Sequence, residues 1–335
     1  MERFAGVMRL RGMPAVFDSL PLATFLPTPH GPARRCGIEI EFGGISAEAA
    51  ADCVATQLGG QVGQSSKGFE VSDSAIGRIE VYLDTAFEAA RKDGPLGQLA
   101  RRVIPVEIVT EPLEQGELPH VNALCDALAR IGATGTRDGL LLGFGVHLNV
   151  EVPQDFARLL RICTAFALCD DLLRDLGEVD GSRRVVPFID PWPRRFGDWL
   201  VDTPDAQPGD LIARYLKDTP NRNRALDLLP ALAHLDEDQL RRGLPKGHKL
   251  SPRPAFHYRL PDCRIDEANW SVALEWNRWV ILERIADDPV LLADMRRAWR
   301  KQRADWSRWR GDWPATVGKL IEARRTALLR DGVAA

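Results

Sequence analysis

The chain has 335 residues, 45% of them hydrophobic, with 44 Lys and Arg against 47 Asp and Glu for a formal net charge of −3. That composition supports a buried core, and the balanced charge excludes the strong basic excess of a dedicated nucleic-acid binder. No stretch approaches the roughly 20 apolar residues of a spanning helix, so neither nucleic acid nor a membrane is an expected partner. The start, interrupted by Arg3, Arg9 and Arg11, makes a poor signal peptide. Six cysteines without a CxxC pair read as reduced thiols of a cytoplasmic protein rather than a disulfide framework.

Residues 1–33 end in Pro27, Pro29, His30, Gly31 and Pro32 and read as a lead-in. GIEIEF (37–42) then alternates as a strand does. After Gly43-Gly44, Ser46 is a plausible N-cap for an Ala-rich helix to Leu58, closed by Gly59-Gly60. KGFEVSD (67–73) and RIEVYLD (78–84) are strand-like pieces around a turn at 75–77, and VIPVEIVTEPL (103–113) is a strand stopped by Pro112. An amphipathic helix covers 119–131, FGVHLNVEV (144–152) is a strand, and a long helix covers 155–176.

From 177 to 254 the pattern changes to proline-punctuated short helices and loops, including the helix-like RNRALDLLPALAHL (222–235). AFHYRLP (255–261) is a last strand and runs into a helix over about 266–285. The tail is helical: Trp299, Trp306, Trp309 and Trp313 stripe one face. It reads as a docked helix with arginines lying over its flanks. KGFEVSD and RIEVYLD are joined too tightly for a parallel crossover. The expected fold is therefore α+β, a largely antiparallel sheet carrying helices on one face.

Side chains alternate across a strand, so each of these strands has an apolar and a polar side. Ile38, Ile40 and Phe42 oppose Glu39 and Glu41; Ile79, Val81 and Leu83 oppose Glu80, Tyr82 and Asp84; Ile104, Val106 and Ile108 oppose Glu107. Val146, Leu148 and Val150 oppose His147, Asn149 and Glu151, while Phe256, Tyr258 and Leu260 oppose His257 and Arg259. In one sheet these polar sides form a face of carboxylates, two histidines, an amide and an arginine. An ordinary solvated face is the alternative, but these strands contribute no lysine to it, and crowded like charges call for cations. Oxygen ligands with a little imidazole suit Mg²⁺ or Mn²⁺. Glu39 and Glu41, about 6.6 Å apart along the strand, could serve one ion or two. Mg²⁺ with few protein carboxylates normally takes other ligands from nucleotide phosphate.

In this order RRCGIEIEF, FEVSDSAIGRIEVYLDT, PVEIVTEPL, FGVHLNVEV and FHYRLPDCRID resemble the amidoligase family. That family lies within the carboxylate–amine ligase superfamily, which shares the glutamine synthetase and glutamate–cysteine ligase fold. The resemblance covers about 34–285. It implies a sheet curving around ATP and two or more Mg²⁺ ions, and ATP-dependent amide formation through an acyl phosphate from small-molecule or peptide carboxylate and amine substrates. By resemblance Glu39 and Glu41 are metal ligands, Glu80 or Asp84 with Glu107 completes the shells, and His147 binds a metal or phosphate oxygen. Arg259 neutralises charge on the transferred phosphoryl group. Asp73 and Ser74 approach the acceptor side with Asn149 as a further substrate contact, and Arg222 and Arg224 hold a substrate carboxylate or phosphate. Lys67 reaches a phosphate or is a solvated turn lysine.

The implied layout is a lead-in at 1–33, a catalytic domain at 34–285 with 178–253 shaping the acceptor pocket, and a helical tail at 286–335. The chain departs from the family pattern at two places. His257 stands where an acidic residue usually precedes the arginine by two, so the ion normally held there is expected to be bound differently, bound weakly or absent, and Asp227 stands where an amide is more common. A member that binds nucleotide or a partner without ligating, and a related metal-dependent phosphotransferase or hydrolase, are the alternatives.

Overall fold

The alternating run CGIEIEF forms β1 (Cys36–Phe42), on which the sheet is built. In the computed structural model, which describes residues 15–18, 20, 33–84, 104–138, 143–180, 183, 189–248, 250–305 and 312–330, β1 has an antiparallel neighbour on each side. These are β5 (Val106–Thr110) and β6 (Val146–Val150). Beyond β5 come β4 (Gly77–Leu83), β3 (Gly68–Ser74) and β2 (Gln61–Gln64). Beyond β6 come the two-residue strands β8 (His257–Tyr258) and β7 (Leu226–Asp227). The described sheet thus has eight strands in the order β2-β3-β4-β5-β1-β6-β8-β7, all antiparallel and open at both edges.

Register sorts the two faces. Ile40 stands opposite Ile108 on one side and Val146 on the other, and all three are fully buried. Helices cover this apolar face. α1 (Ala47–Leu58) packs on β3, β4 and β5; the Ser46 hydroxyl accepts from the Ala49 N–H at 3.1 Å and caps it. α2 (Leu118–Arg130) lies beside α1. α3 (Phe156–Leu176), capped by Asp155, sets Phe166 6.0 Å from the Tyr258 ring. α4 (Arg194–Asp202), α5 (Pro208–Asp218) and α6 (Leu229–Gly243) follow. α7 (Val272–Asp287) places Trp279 between Phe256 and Tyr258 at 5.4 and 5.2 Å. Each such large side chain contributes about 1.5–3 kcal/mol by leaving water.

A buried ion cluster ties β1 to these helices. Glu283 of α7 is fully buried and accepts from Arg34, from Arg158 of α3 at 3.0 Å and from the Trp279 indole at 2.8 Å. Arg34 also donates to the Glu151 carbonyl at 2.9 Å. The residue that leads into β1 is thereby fixed to the layer beneath it.

Several elements differ from the sequence reading. RNRALDLLPALAHL is not one helix: Leu226–Asp227 forms β7, and the Asp227 carboxylate accepts from the Leu229 N–H at 2.9 Å, turning the chain into α6. Pro230 fits the first turn of that helix, where its missing N–H costs nothing. AFHYRLP shrinks to His257–Tyr258, although Phe256 and Arg259 still donate backbone hydrogen bonds to Val150 and Ala225. The helix expected from about 266 begins at Val272, where the Ser271 hydroxyl caps it. β2 is an exposed edge without alternation and gave no signal.

The tail is helical but broken into α8 (Pro289–Ala304), α9 (Trp313–Ala323) and the short α10 (Arg325–Leu329). Trp299 and Trp313 are buried with rings 5.0 Å apart, and Trp313 donates to the Leu168 carbonyl. Trp306 and Trp309 lie outside the described residues, as does most of the expected lead-in. Arg300 and Arg303, exposed on that helix, pair with Asp202 and Asp198 at 2.8 Å. All six cysteines are free thiols. No helix among the described residues is long and apolar enough to cross a membrane.

Candidate active site

Cross-strand register assembles the polar face. Glu39 stands opposite His147, and Glu41 stands opposite Glu107, which also faces Tyr82. The residues of this row are nearly withdrawn from solvent: Glu41 6%, Glu107 8%, His147 6% and His257 4% exposed. His147 Nδ1 lies 2.7 Å from Glu39 Oε2, and its Nε2 lies 3.7 Å from Glu41 Oε1. Glu41 Oε2 accepts from the Gly145 N–H at 2.7 Å. Asn149 uses both ends of its amide: Nδ2 donates to Glu39 Oε1 at 2.9 Å, and Oδ1 lies 2.5 Å from His257 Nδ1. A hydrogen-bonded chain therefore runs from His147 through Glu39 and Asn149 to His257, with Glu41 3.7 Å beyond His147 Nε2.

Two overlapping donor groups follow. Ligand atoms of Glu39, His147 and His257 lie within 4.8 Å of one another, and so do those of Glu41, Glu107 and His147. Burial raises the Glu107 carboxyl to about 9, helped by the charges of Glu39, Glu41 and Asp84. Burial raises Glu41 as well, against the pull of His147, Arg183 and the Gly145 N–H. Glu39 goes the other way. Burial opposes its ionisation, but the His257 and His147 imidazoles and the Arg259 guanidinium hold it well below the usual carboxylate range. Burial, then Arg259, pushes His257 well below the usual imidazole range. With His257 neutral, Glu39 is held ionised by its hydrogen bonds and by Arg259.

Arginines flank the row. Arg259 lies 3.6 Å from buried Asp227, the register partner of His257, and its Nε has no hydrogen-bond partner. Arg183 is 2% exposed and donates to the carbonyls of Arg259, Leu260 and Pro261 and to Asp262 at 3.0 Å. A Cβ on Gly145 would come within 2.7 Å of Arg183 Nη2 and 3.1 Å of His147 Nε2. A side chain at this position would have to displace the guanidinium and crowd the His147 ring.

The structure thus brings together Glu39, Glu41, Glu107, His147, Asn149, His257 and Arg259, with Asp84 adding its charge at the end of β4. Glu80 stands apart: Val109 separates it from Glu39 on the same face, and it pairs with Lys67 at 3.0 Å and Arg78 at 3.8 Å. Lys67 also lies 5.0 Å over the Tyr82 ring, and Tyr82 hydrogen-bonds Glu107. Asp73 and Ser74 sit at the β3–β4 turn, the opposite end of that hairpin from Tyr82. Asp73 is exposed with φ 55°, and Ser74 Oγ donates to the Gly77 carbonyl. Arg224 is committed to Thr219 and the Pro191 carbonyl, whereas Arg222 is exposed with its charge bearing on Asp227. Asn149, with both amide ends occupied, positions Glu39 and His257. Sequence reasoning missed Arg183, which lies outside every strand and carries no periodic signal.

A family model described as “Putative amidoligase enzyme” matches residues 32–281, well over half of the chain. The chain belongs to the amidoligase family. This amidoligase gives no significant match to any curated protein or any solved structure. Family membership supports a ligase-type enzyme acting on small-molecule or peptide substrates. The matched span contains every residue of the buried row and both flanking arginines.

Proposed function

We propose that this amidoligase joins a carboxylate to an amine at the expense of ATP, through an acyl phosphate, with Mg²⁺ or Mn²⁺ as the metal. The observation that carries this reading is the row of buried Glu41, Glu107 and His147 with half-buried Glu39, and Arg259 and Arg183 at its border. Three carboxylates and an imidazole on adjacent strands leave Glu107 with a strongly raised pKa in the absence of a cation. That donor set fits a divalent ion: Glu41 and Glu107 would hold one, and Glu39 with His147 and His257 a second. When bound, such ions neutralise the charge of the nucleotide phosphates.

The chain's own residues supply the rest. Arg259 would orient and neutralise the phosphoryl oxygens, aided by the unpartnered Nε of its guanidinium. Asp227, within 3.6 Å, restrains that side chain. Arg183 fixes the backbone on which Arg259 sits. Arg222, exposed beside Asp227, is our candidate for meeting a substrate carboxylate. Burial of the row excludes the water that would otherwise intercept an acyl phosphate.

The test is ADP release with a panel of acid and amine pairs, with the amide identified by mass spectrometry. Turnover requires a divalent cation and both organic substrates, and the Glu39→Ala, Glu41→Ala double variant abolishes it. Full turnover in that variant would sink the assignment. His257 at the usually acidic position favours one rival, a nucleotide-binding member without ligase activity. That protein would be stabilised thermally by nucleotide but release no phosphate.

A further inference from the structure

The departure at His257 creates an asymmetry within the site. At the β1–β5 side, Glu41 and Glu107 offer charged oxygen. At the β1–β6–β8 side, the donor group is one carboxylate, Glu39, and two imidazoles, His147 and His257. His257 is 4% exposed, and its ring meets that of His147 edge-on at 5.2 Å.

Hydrogen bonding fixes which nitrogen is available. The Asn149 end facing Glu39 must be its amide nitrogen, because a carboxylate can only be satisfied by a donor. Asn149 Oδ1 therefore faces His257, and Nδ1 carries the proton that it accepts at 2.5 Å. The lone pair is left on Nε2, which is buried and has no hydrogen-bond partner. An orphaned buried acceptor is costly, and a cation satisfies it. An imidazole whose other nitrogen is held by an anchored hydrogen-bond partner is the usual arrangement of a metal-ligating histidine.

We propose that Glu39, His147 and His257 form a nitrogen-rich cation position that takes a transition-metal ion in preference to Mg²⁺. The oxygen-rich position at Glu41 and Glu107 keeps the Mg²⁺ preference. This rests on the metal-dependent reading above. Exchanging a carboxylate for an imidazole removes a hard, charged oxygen, weakening the hold on Mg²⁺ more than that on ions that favour nitrogen. Arg259 adds positive charge nearby, partly offset by Asp227 at 3.6 Å, which further disfavours an ion held by charge alone.

The experiment uses the full chain stripped by chelator and titrated with Co²⁺ against Mg²⁺, reading the visible absorption of bound Co²⁺. Wild type is expected to retain one Co²⁺ against about a hundredfold excess of Mg²⁺. His257→Asp should lower the Co²⁺-over-Mg²⁺ preference by about tenfold or more, and Asn149→Ala should weaken Co²⁺ binding in the same direction. His257→Gln, which removes the imidazole while keeping an amide for Asn149, gives a second reading should the aspartate variant fail to fold. His120→Ala, at an exposed histidine of α2, should change nothing. An unchanged preference in the His257 variants overturns this inference and leaves the ligase reading standing. Failure of wild type to bind any divalent ion overturns both.

Discussion

Glu41 and Glu107 are direct register partners across β1 and β5, buried side by side on the polar face. Like charges in this position repel, and burial removes the water that would screen them. The pair tolerates this by keeping a proton or by sharing a cation.

The sign of the resulting pH dependence is definite for metal-free protein. Burial and the neighbouring carboxylates raise Glu107 from an ordinary 4.5 to about 9. Its contribution to stability is fully present below the ordinary value and is lost as pH rises through about 9. Glu41, also raised, acts in the same sense, while Glu39, held low, contributes above its ordinary value and loses that contribution on acidification. Urea unfolding of chelated protein should therefore show stability falling between about pH 5 and 9. Glu107→Gln or added divalent cation should flatten that slope. A slope unaffected by either would show that the pair is not the titrating group.

Arg259 is predicted to act on the transferred phosphoryl group. Arg259→Ala should lower kcat by about 10²–10³ and should also lower the melting temperature, since it leaves the buried Asp227 carboxylate without its paired cation. Arg259→Lys should recover only part, because a point charge lacks the planar fork. Unchanged kcat in the alanine variant would remove Arg259 from the chemistry.

Arg183 should behave differently. Its pair with Asp262 is 3% and 0% exposed, and the same guanidinium holds three successive carbonyls after β8. Removing one partner of such a pair leaves a buried charge, so Arg183→Ala should cost about 3–5 kcal/mol in denaturant unfolding. A loss within about 0.5 kcal/mol, the range of ordinary surface changes, would contradict the clamp.

The central strands were legible because each has one wet and one dry side in strict alternation. Glu39, Glu41, Glu107, His147 and His257 could be placed on one face before any pairing was known. What the alternation lacks is distance along the neighbouring strand. It put Glu80 and Asp84 on equal terms, and only register shows Val109 standing between Glu80 and Glu39. β7 was hidden because two residues cannot display a period, so Leu226–Asp227 was absorbed into the helix-like pattern around it. Arg183 was hidden because its role comes from tertiary contacts with backbone carbonyls. Ser74 was singled out by a motif, but its hydroxyl closes the 75–77 turn.

The most direct test of the account follows the carboxylate oxygen. With an acid labelled by ¹⁸O in its carboxylate and a matching amine, an acyl-phosphate ligase passes one labelled oxygen to the phosphate it releases. The prediction is inorganic phosphate carrying one ¹⁸O per amide formed, lost together with the amide in the Glu39→Ala, Glu41→Ala variant. Unlabelled phosphate released at the same rate as ADP would mean that water attacks the nucleotide, and the ligase assignment would be contradicted.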